Sequence, residues 1–415
     1  MTKAVTGGLS APLGRAPPEV NRAKLNGAGV GKVVTIVAIW AAGLGAAAQF
    51  GKISVLYDLL AVRYGDHGAV ALGLMVSVVG MVGLVFGTTA GILVSRVGPR
   101  RAMVAALVMG AVVSLGQAVL PHWPVMMALR VVEGVSHLAI VVVGPTAIAA
   151  AAGERHLGLA MTLWSSFFGV TYAVLALVAP PFVTAYGAGA LFVAHAGWMA
   201  VLAWVLARLL PPDPVVRVVA GGAGLLAQHR AIYASPFVAA PAFGFVCYTI
   251  IYVAVLTLLP PLFPEDMRAR VAAGMPIISI AVSLTLGVWL LGRIGPVRLV
   301  QGGFGVAIVG LALFGLGLGN PVLMEVGTMV MAAALGIVQG ASFAAIPALN
   351  PGTGDRARAA GAIAQLGNLG TTTGTPILAV MLTALGPVAV VVFAVPFCVL
   401  GIILHSWQAA RRART

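Results

Sequence analysis

Twelve long apolar runs, separated by short polar turns, constrain the fold of this chain more than any other feature. Each is about 20 residues or longer, the length at which an α-helix crosses the hydrocarbon core of a bilayer. Backbone polar groups in that core must be satisfied within the segment, so such runs are expected to be helical. Charged residues make up 8% of the chain, whereas a soluble domain carries about 25%. The sequence therefore predicts a multi-pass, all-α membrane protein.

The polar interval 211–235 is the longest between two runs, and it is rich in proline and glycine. We predict that it is a cytoplasmic linker between a six-helix bundle at 33–210 and a second at 236–408, with cytoplasmic tails at 1–32 and 409–415. The twelve transmembrane helices are predicted, to within several residues, at 33–60, 69–94, 102–120, 125–150, 158–183, 188–210, 236–263, 271–291, 299–318, 322–346, 359–385 and 388–405.

Two short motifs occur twice, about half the chain length apart. Ser95–Arg101 reads SRVGPRR, and Gly292–Arg298 reads GRIGPVR. Val131–Ser136 reads VVEGVS, and Ile337–Ser342 reads IVQGAS. An internal repeat of this period indicates two similar halves, which predicts two pseudo-symmetric six-helix bundles.

The formal net charge of +14 could suggest a nucleic-acid partner, but the positions of the charges argue against it. Most of the basic residues precede the first run or follow an even-numbered one, which is the positive-inside bias. We therefore expect both termini to be cytoplasmic, in the cytoplasmic (inner) membrane of a bacterium. No short apolar stretch with a cleavage site precedes the first run, so we expect that helix to act as an uncleaved insertion signal.

The turn after the second run resembles a family signature. Major facilitator superfamily transporters read roughly Gly-x-Leu-x-Asp-Arg-x-Gly-Arg-Lys/Arg there, and the chain resembles that family over nearly its whole length. Ser95 replaces the usual Asp, which in relatives helps to latch the halves together, and Pro99 stands where a basic residue is common. The resemblance implies two six-helix bundles that rock about a central site, and a cytoplasmic gate formed by Gly91, Ser95, Arg96, Gly98, Arg100, Arg293 and Gly295.

A second resemblance lies in the fourth run, where Arg130–Gly134 fits the family pattern Arg-x-x-x-Gly. In proton-coupled members this arginine is associated with coupling. The Gly-Pro pair that is typical of the fifth helix in drug/proton antiporters is missing, because Gly169–Tyr172 follows another pattern. That difference weakens the drug-efflux interpretation without removing it.

Ionisable residues in the first half form the clearest candidate site. Arg130, Glu133 and His137 stand at spacings of three and four, on one face of a helix. A charge near the bilayer centre costs about 2.5–3.5 kcal/mol on insertion scales and usually has a partner or faces a cavity. Two interpretations stay open for this cluster: an ion pair that fixes packing, or a proton-coupling and solute site. Lys52, with Gln49 one turn earlier, could snorkel to the interface, attract an anion or pair with Glu133.

The second half offers amides, hydroxyls and tyrosines instead. Gln365, Asn368, Thr372 and Thr375 form a polar stripe in the eleventh run, which could bind solute or join helices by hydrogen bonds. His195 is interpreted as a packed polar residue rather than a ligand. The predicted solute-binding residues are Gln49, Lys52, Arg130, His137, Tyr172, Tyr248, Tyr252, Gln365, Asn368 and Thr372, and those predicted for proton coupling are Glu133 and Arg130.

We therefore expect a secondary active transporter of a small organic solute, driven by protons or by a counter-substrate. The two cations of the first half favour an organic anion. Gly31-Lys32 lacks the flanking residues of a phosphate-binding loop, and the cysteines and histidines are scattered, so we expect no cofactor, no metal and no enzyme. We also expect a monomer in the bilayer that binds no nucleic acid. Two alternatives stay open: export of toxic compounds by proton antiport, and a ligand sensor on the same fold that does not transport.

Overall fold

The computed structural model describes residues 22–213 and 225–415 of the chain, and these are helical, with no β-strand among them. The prediction of an all-α protein is confirmed. The helices are α1 (Arg22–Val55), α2 (Tyr57–Tyr64), α3 (Gly68–Ser77), α4 (Val79–Val97), α5 (Pro99–Ala118), α6 (Trp123–Ser165), α7 (Phe167–Tyr186), α8 (Ala188–Leu209), α9 (Leu225–Ala234), α10 (Ala240–Leu258), α11 (Glu265–Val282), α12 (Val288–Leu291), α13 (Pro296–Leu316), α14 (Pro321–Leu349), α15 (Thr353–Leu385) and α16 (Ala389–Arg412).

Ten stretches of the described chain are long and apolar enough to cross a bilayer, and the bent pair formed by residues 57–77 and 79–87 adds an eleventh. The longest stretch, Gly354–Arg412, contains both α15 and α16. Asn350, just before α15, donates to the Phe237 carbonyl, and Arg412, at the end of α16, donates to the Pro236 carbonyl. The two helices therefore run in opposite directions, which makes the structure consistent with twelve crossings.

Glycine and proline set the turns between several helices. Gly98 (φ 97°) ends α4, and Gly187 (φ 81°) separates α7 from α8; both have a left-handed backbone that glycine adopts at little cost. Pro99 and Pro296 begin α5 and α13, where the missing N–H of proline costs nothing. The repeated Gly-Pro pair thus begins a helix in both halves, and in the first half its glycine also ends the preceding helix.

Several boundaries differ from the sequence-based expectation. α16 runs to Arg412, into the predicted C-terminal tail, and the first predicted crossing is broken after Val55. α1 begins at Arg22 rather than near Val33, and the linker contains α9. The loop predicted between the fourth and fifth crossings, at 152–157, lies within α6, but α6 is not one straight rod. The Trp164 ring lies against Gly144, whereas twenty residues of straight helix would separate them by about 30 Å. The chain therefore does reverse near the predicted loop, although its backbone remains helical.

The end of the molecule at which α5 begins and α8 and α16 end is called the basic face below, and the other end is called the opposite face. α3 and α4 pack along α15, and α7 packs on α11. Closer to the opposite face, α1 also approaches α10. These pairs join the first six crossings to the last six.

Candidate functional site

A cluster of three charged side chains lies inside the first half of the molecule. Lys52, Arg130 and Glu133 are each 0% exposed. The Lys52 Nζ is 2.5 Å from Glu133 Oε1, and Arg130 Nη1 pairs with Glu133 Oε2. Lys52 therefore does not snorkel to the interface. Glu133 lies ten residues into α6, about 15 Å from its first residue, so the cluster is deep in the bilayer.

The guanidinium of Arg130 is held on every side. Its Nε donates to the Met75 carbonyl at 2.8 Å and its Nη2 to the Val76 carbonyl at 2.8 Å, both close to the break between α3 and α4. Its Nη1 also donates to the Gln49 carbonyl of α1 at 2.6 Å. Because these carbonyls belong to the backbone, Arg130 is a fixed charge that ties α1, α3 and α6 together.

The ammonium of Lys52 contacts side chains rather than backbone carbonyls. It lies 2.5 Å from Ser114 Oγ and 3.3 Å from His195 Nδ1. His195 Nε2 is 3.0 Å from the Gly45 carbonyl, which can only accept, so Nε2 carries the proton in the neutral ring and Nδ1 accepts. Ser114 Oγ, 2.6 Å from that Nδ1, can donate to it. Lys52 is therefore the cation that a change of side-chain rotamer could free.

Sequence reasoning missed part of this cluster. His195 was interpreted as packing alone, and Ser114 and Gln117 were not considered, although Gln117 Nε2 donates to Glu133 Oε2 at 2.9 Å. Ser114 and Gln117 stand three residues apart in an otherwise apolar run, and that spacing was the available signal. All three side chains are buried.

The cluster carries more positive than negative charge, because two cations share one carboxylate. It also contains unsatisfied acceptors: within the described residues, Gln49 Oε1 and Gln117 Oε1 are buried without a hydrogen-bond partner. Buried polar atoms are normally satisfied by protein or water. Among the described residues, no group of three His, Cys, Asp or Glu could hold a metal ion.

Two other predicted residues of the first half lie beside this cluster. Gln49 Nε2 donates to Ser136 Oγ at 2.9 Å. His137 Nδ1 lies 3.0 Å from the Ala46 carbonyl, and its ring packs edge-on against Phe50 at 5.0 Å between centroids. α1 therefore places Gln49, Phe50 and Lys52 within one turn of each other, all buried.

A layer of hydroxyl groups joins the halves toward the opposite face. Ser54 Oγ lies 3.0 Å from the Tyr172 hydroxyl and 2.9 Å from Thr257 Oγ1, which links α1, α7 and α10. Tyr248 and Tyr252, one turn apart on α10, stack at 5.0 Å between centroids, and both are buried. Of the predicted aromatic residues, Tyr172 therefore lies where the two halves meet, and Tyr248 and Tyr252 lie in the hydrophobic core next to it.

The polar stripe of α15 faces the glycines of α3 and α4. A Cβ atom on Gly80 would come within 2.5 Å of Thr372 Oγ1, and one on Gly83 within 2.3 Å of Asn368 Nδ2. Gln365 Nε2 donates to the Leu84 carbonyl at 3.0 Å. The stripe therefore lies in a helix contact between the halves, although Thr372 Oγ1 and Thr375 Oγ1 are buried with no hydrogen-bond partner in the described part of the chain.

The linker helix α9 adds a contact to this stripe. The Tyr233 hydroxyl donates to Gln365 Oε1 at 2.7 Å. Burial raises the pKa of Tyr233 to about 12, so the phenol stays protonated and remains a donor. Gln365 thus receives partners from both α4 and the linker.

An aspartate does stand at the predicted gate motif, but it comes from the linker rather than from position 95. Asp213 accepts hydrogen bonds from the backbone N–H groups of Arg100 (2.7 Å) and Arg101 (3.0 Å), in the first turn of α5. A carboxylate at a helix N-terminus is favoured by the helix dipole. A Cβ atom on Gly98 would come within 2.2 Å of the Asp213 carboxyl carbon, so a glycine there makes room for it.

The other gate residues are spread along the basic face. The Arg100 side chain donates to the Ala207 carbonyl of α8. Arg293 lies over the Trp289 ring, 3.7 Å from its centroid, and Gly295 precedes α13. The side chains of Ser95 and Arg96, like Gly91, lie outside the part that the structure describes.

Comparison with known proteins matches this architecture. The family model described as Major Facilitator Superfamily matches residues 35–349. Similar solved structures include a variant of the E. coli fucose:proton symporter FucP, at 12% identity, 91% coverage of this chain, 99% of that chain and a TM-score of 0.64. They also include a bacterial homologue of the human lysosomal transporter Spinster, in an inward-facing and unoccupied conformation, at 13% identity, 92% and 96% coverage and a TM-score of 0.66. No curated protein matches the chain. The match covers most of the sequence and agrees with the helical, multi-pass fold, so the chain belongs to the Major Facilitator Superfamily.

Proposed function

We propose that the protein is a secondary transporter that carries a small organic anion across the cytoplasmic membrane of a bacterium by alternating access, coupled to protons or by exchange. The observation that carries this proposal is the buried cluster in which Glu133 is shared by Lys52 and Arg130. Its excess of positive charge favours an anionic solute. The fold supports the transport mode, because relatives built from two repeats rock about a site near the midplane.

In this mechanism, protonation of Glu133 removes the negative charge that holds Lys52. Arg130 stays in place because backbone carbonyls accept from it, whereas Lys52 turns toward the solute. The hydroxyl layer of Ser54, Tyr172 and Thr257 joins the halves while Lys52 is still paired, so this layer separates in the state that opens the site toward the opposite face. When the solute leaves, Glu133 loses its proton and recaptures Lys52. Each cycle thus couples one proton on Glu133 to one anion.

The test is Glu133→Gln in proteoliposomes, after a thermal-shift screen of mono- and dicarboxylates, amino acids and amphipathic cations has identified a bound solute. We expect the variant to lose accumulation driven by a proton gradient, because an amide cannot take up the proton. Exchange of labelled for unlabelled solute should survive, since it needs no net proton movement. Both are measured as uptake of the labelled solute.

Glu325→Gln is the matched control, because Glu325 pairs with exposed Arg270 outside the cluster at 2.7 Å. It should accumulate solute at the wild-type rate. Wild-type accumulation by Glu133→Gln itself would show that Glu133 is not the coupling group. Loss of both accumulation and exchange in a folded variant would assign Glu133 to solute binding instead.

The aromatic side chains between the halves support a second candidate, export of amphipathic toxic compounds. Phe168 and Tyr172 stack at 5.2 Å, and Tyr248 and Tyr252 stack at 5.0 Å. Flat apolar cations bind such rings well. Drug sensitivity of a deletion strain separates the two candidates: hypersensitivity would favour export. Solute binding without any flux in proteoliposomes would instead indicate a ligand sensor.

A further inference from the structure

Three helices reach the basic face with the same pair of residues, a tryptophan followed one turn later by an arginine. In all three pairs the guanidinium lies over the indole, with the Arg Cζ 5.2, 3.7 and 4.9 Å from the ring centroid. The pairs are Trp204 and Arg208 on α8, Trp289 of α12 with Arg293 two residues after that helix, and Trp407 and Arg411 on α16. They account for three of the seven tryptophans of the chain.

The three indoles lie on the surface of the protein. Trp204 is 62% exposed, Trp289 53% and Trp407 49%. Each follows an exposed apolar residue about one turn earlier: Val201, Leu286 and Ile403. In a membrane protein, such an apolar stripe contacts lipid, and tryptophan at its end sits at the level of the headgroups. The arginine beyond it then lies at the depth of the phosphates.

These arginines have no carboxylate partner among the described residues. Arg293 donates to the Trp289 carbonyl, and Arg411 donates to Gln408 Oε1 and the Ala234 carbonyl, so both retain free N–H groups. The carboxylates described on this face are already engaged. Asp213 accepts from the N-terminus of α5, and Asp355 pairs with Arg358.

We propose that the three Trp–Arg pairs bind the headgroups of anionic phospholipids in the leaflet at the basic face. The planar fork of a guanidinium matches two phosphate oxygens, while the indole packs against the glycerol and upper acyl chain. The phosphate of a zwitterionic lipid is already balanced by its own ammonium group, so the pairs prefer a lipid with net negative charge. A basic residue near such a surface gives an affinity gain of about fivefold.

The test uses three variants that each keep one of these tryptophans, with the other six replaced by phenylalanine, in vesicles of phosphatidylcholine and phosphatidylglycerol. One set of vesicles carries bromine on the phosphatidylglycerol chains and the other on the phosphatidylcholine chains, at equal mole fraction. Bromine quenches an indole only in contact, so the ratio of the two quenching values reports lipid preference. We expect brominated phosphatidylglycerol to quench several-fold more at Trp204, Trp289 and Trp407.

Trp123, kept as the single tryptophan of a fourth variant, is the control. It lies at the opposite face, stacked on His67 at 4.6 Å, and should show a ratio near one. Replacing the partner arginine by glutamine (Arg208→Gln, Arg293→Gln or Arg411→Gln) should return each ratio to that of Trp123. Substitution by lysine keeps the charge but loses the fork, and should keep only part of the preference.

Ratios equal to that of Trp123, or ratios that glutamine leaves unchanged, would overturn the proposal and reduce the pairs to unspecific interfacial anchors. Full preference in the lysine variants would overturn it too, because surface charge alone would then suffice. Native mass spectrometry of the unaltered chain and of the Arg208→Gln, Arg293→Gln, Arg411→Gln triple variant gives an independent measurement. The triple variant should retain fewer phosphatidylglycerol molecules, and equal retention would contradict the proposal.

Discussion

Glu133 opposes two buried cations, and that arrangement is costly for a protein that needs only stability. Replacing a buried ion pair by apolar residues is often neutral or stabilising, whereas removing one partner leaves an unpaired charge and costs about 3–5 kcal/mol. The cost of burying Lys52, Arg130 and Glu133 therefore favours a role in transport over a purely structural role. Because two cations share one carboxylate, the three residues should contribute unequally to stability.

This asymmetry gives a prediction for stability. Glu133→Gln leaves two cations unpaired, whereas Lys52→Met removes the surplus cation and leaves the Arg130–Glu133 pair. We expect Glu133→Gln to lower the thermal midpoint of the detergent-solubilised protein clearly, and Lys52→Met to lower it much less. Equal losses, or a larger loss for Lys52→Met, would show that the surplus charge is balanced by a group outside this cluster.

The residues of this site were predictable to different degrees. Arg130, Glu133 and His137 lie on one helix, so their spacing alone places them on one face. The Lys52–Glu133 contact joins residues 81 positions apart, and the sequence offered it only as one of three possibilities. The role of His195 depends on the orientation of α8 toward α1, which the apolar pattern of α8 does not fix.

At the scale of elements, the contact between α3, α4 and α15 explains why glycines recur on one side and polar residues on the other. The backbone of α3 reaches that of α15 at Gly73, where a Cβ atom would come within 2.5 Å of Pro376 Cα. Small residues allow membrane helices to approach closely and to use hydrogen bonds. Ser77 Oγ accordingly donates to the Thr372 carbonyl at 2.9 Å. The stripe was visible in the sequence, but its partner helix was not.

Gly73→Ala should therefore separate these two helices. The obstacle is backbone rather than a flexible side chain, so it cannot move aside without moving α15. We expect a lower thermal midpoint and slower transport. The control is Gly197→Ala on α8, where nothing lies within 4 Å of the added Cβ; there alanine should be neutral or stabilising, because glycine is a poor helix former. A Gly73→Ala protein as stable and active as the control would show that the helices do not need this approach.

For the whole molecule, composition and the length of the apolar runs were enough to predict a helical membrane protein, because the bilayer leaves a chain few other choices. The repeated turns predicted its two related halves. The contacts that close the opposite face could not be predicted in this way, since they join side chains from the two halves. Ser54 and Thr257 are 203 residues apart in sequence, with hydroxyl oxygens 2.9 Å apart. Closer still to the opposite face, Arg268 Nη1 lies 4.0 Å from Asp58 Oδ2.

This closure can be trapped. With the buried Cys247 and Cys398 replaced by alanine, the double variant Ser54→Cys, Thr257→Cys should form a disulfide under mild oxidant, because the two side-chain oxygens that the sulfur atoms replace lie 2.9 Å apart. The cross-link holds α1 against α10, so exchange of the solute across proteoliposomes should stop on oxidation and recover on reduction. The single variant Ser54→Cys, treated in the same way, should be unaffected. Continued exchange by the fully cross-linked protein would mean that these helices stay together throughout the cycle, and that the opposite face opens elsewhere.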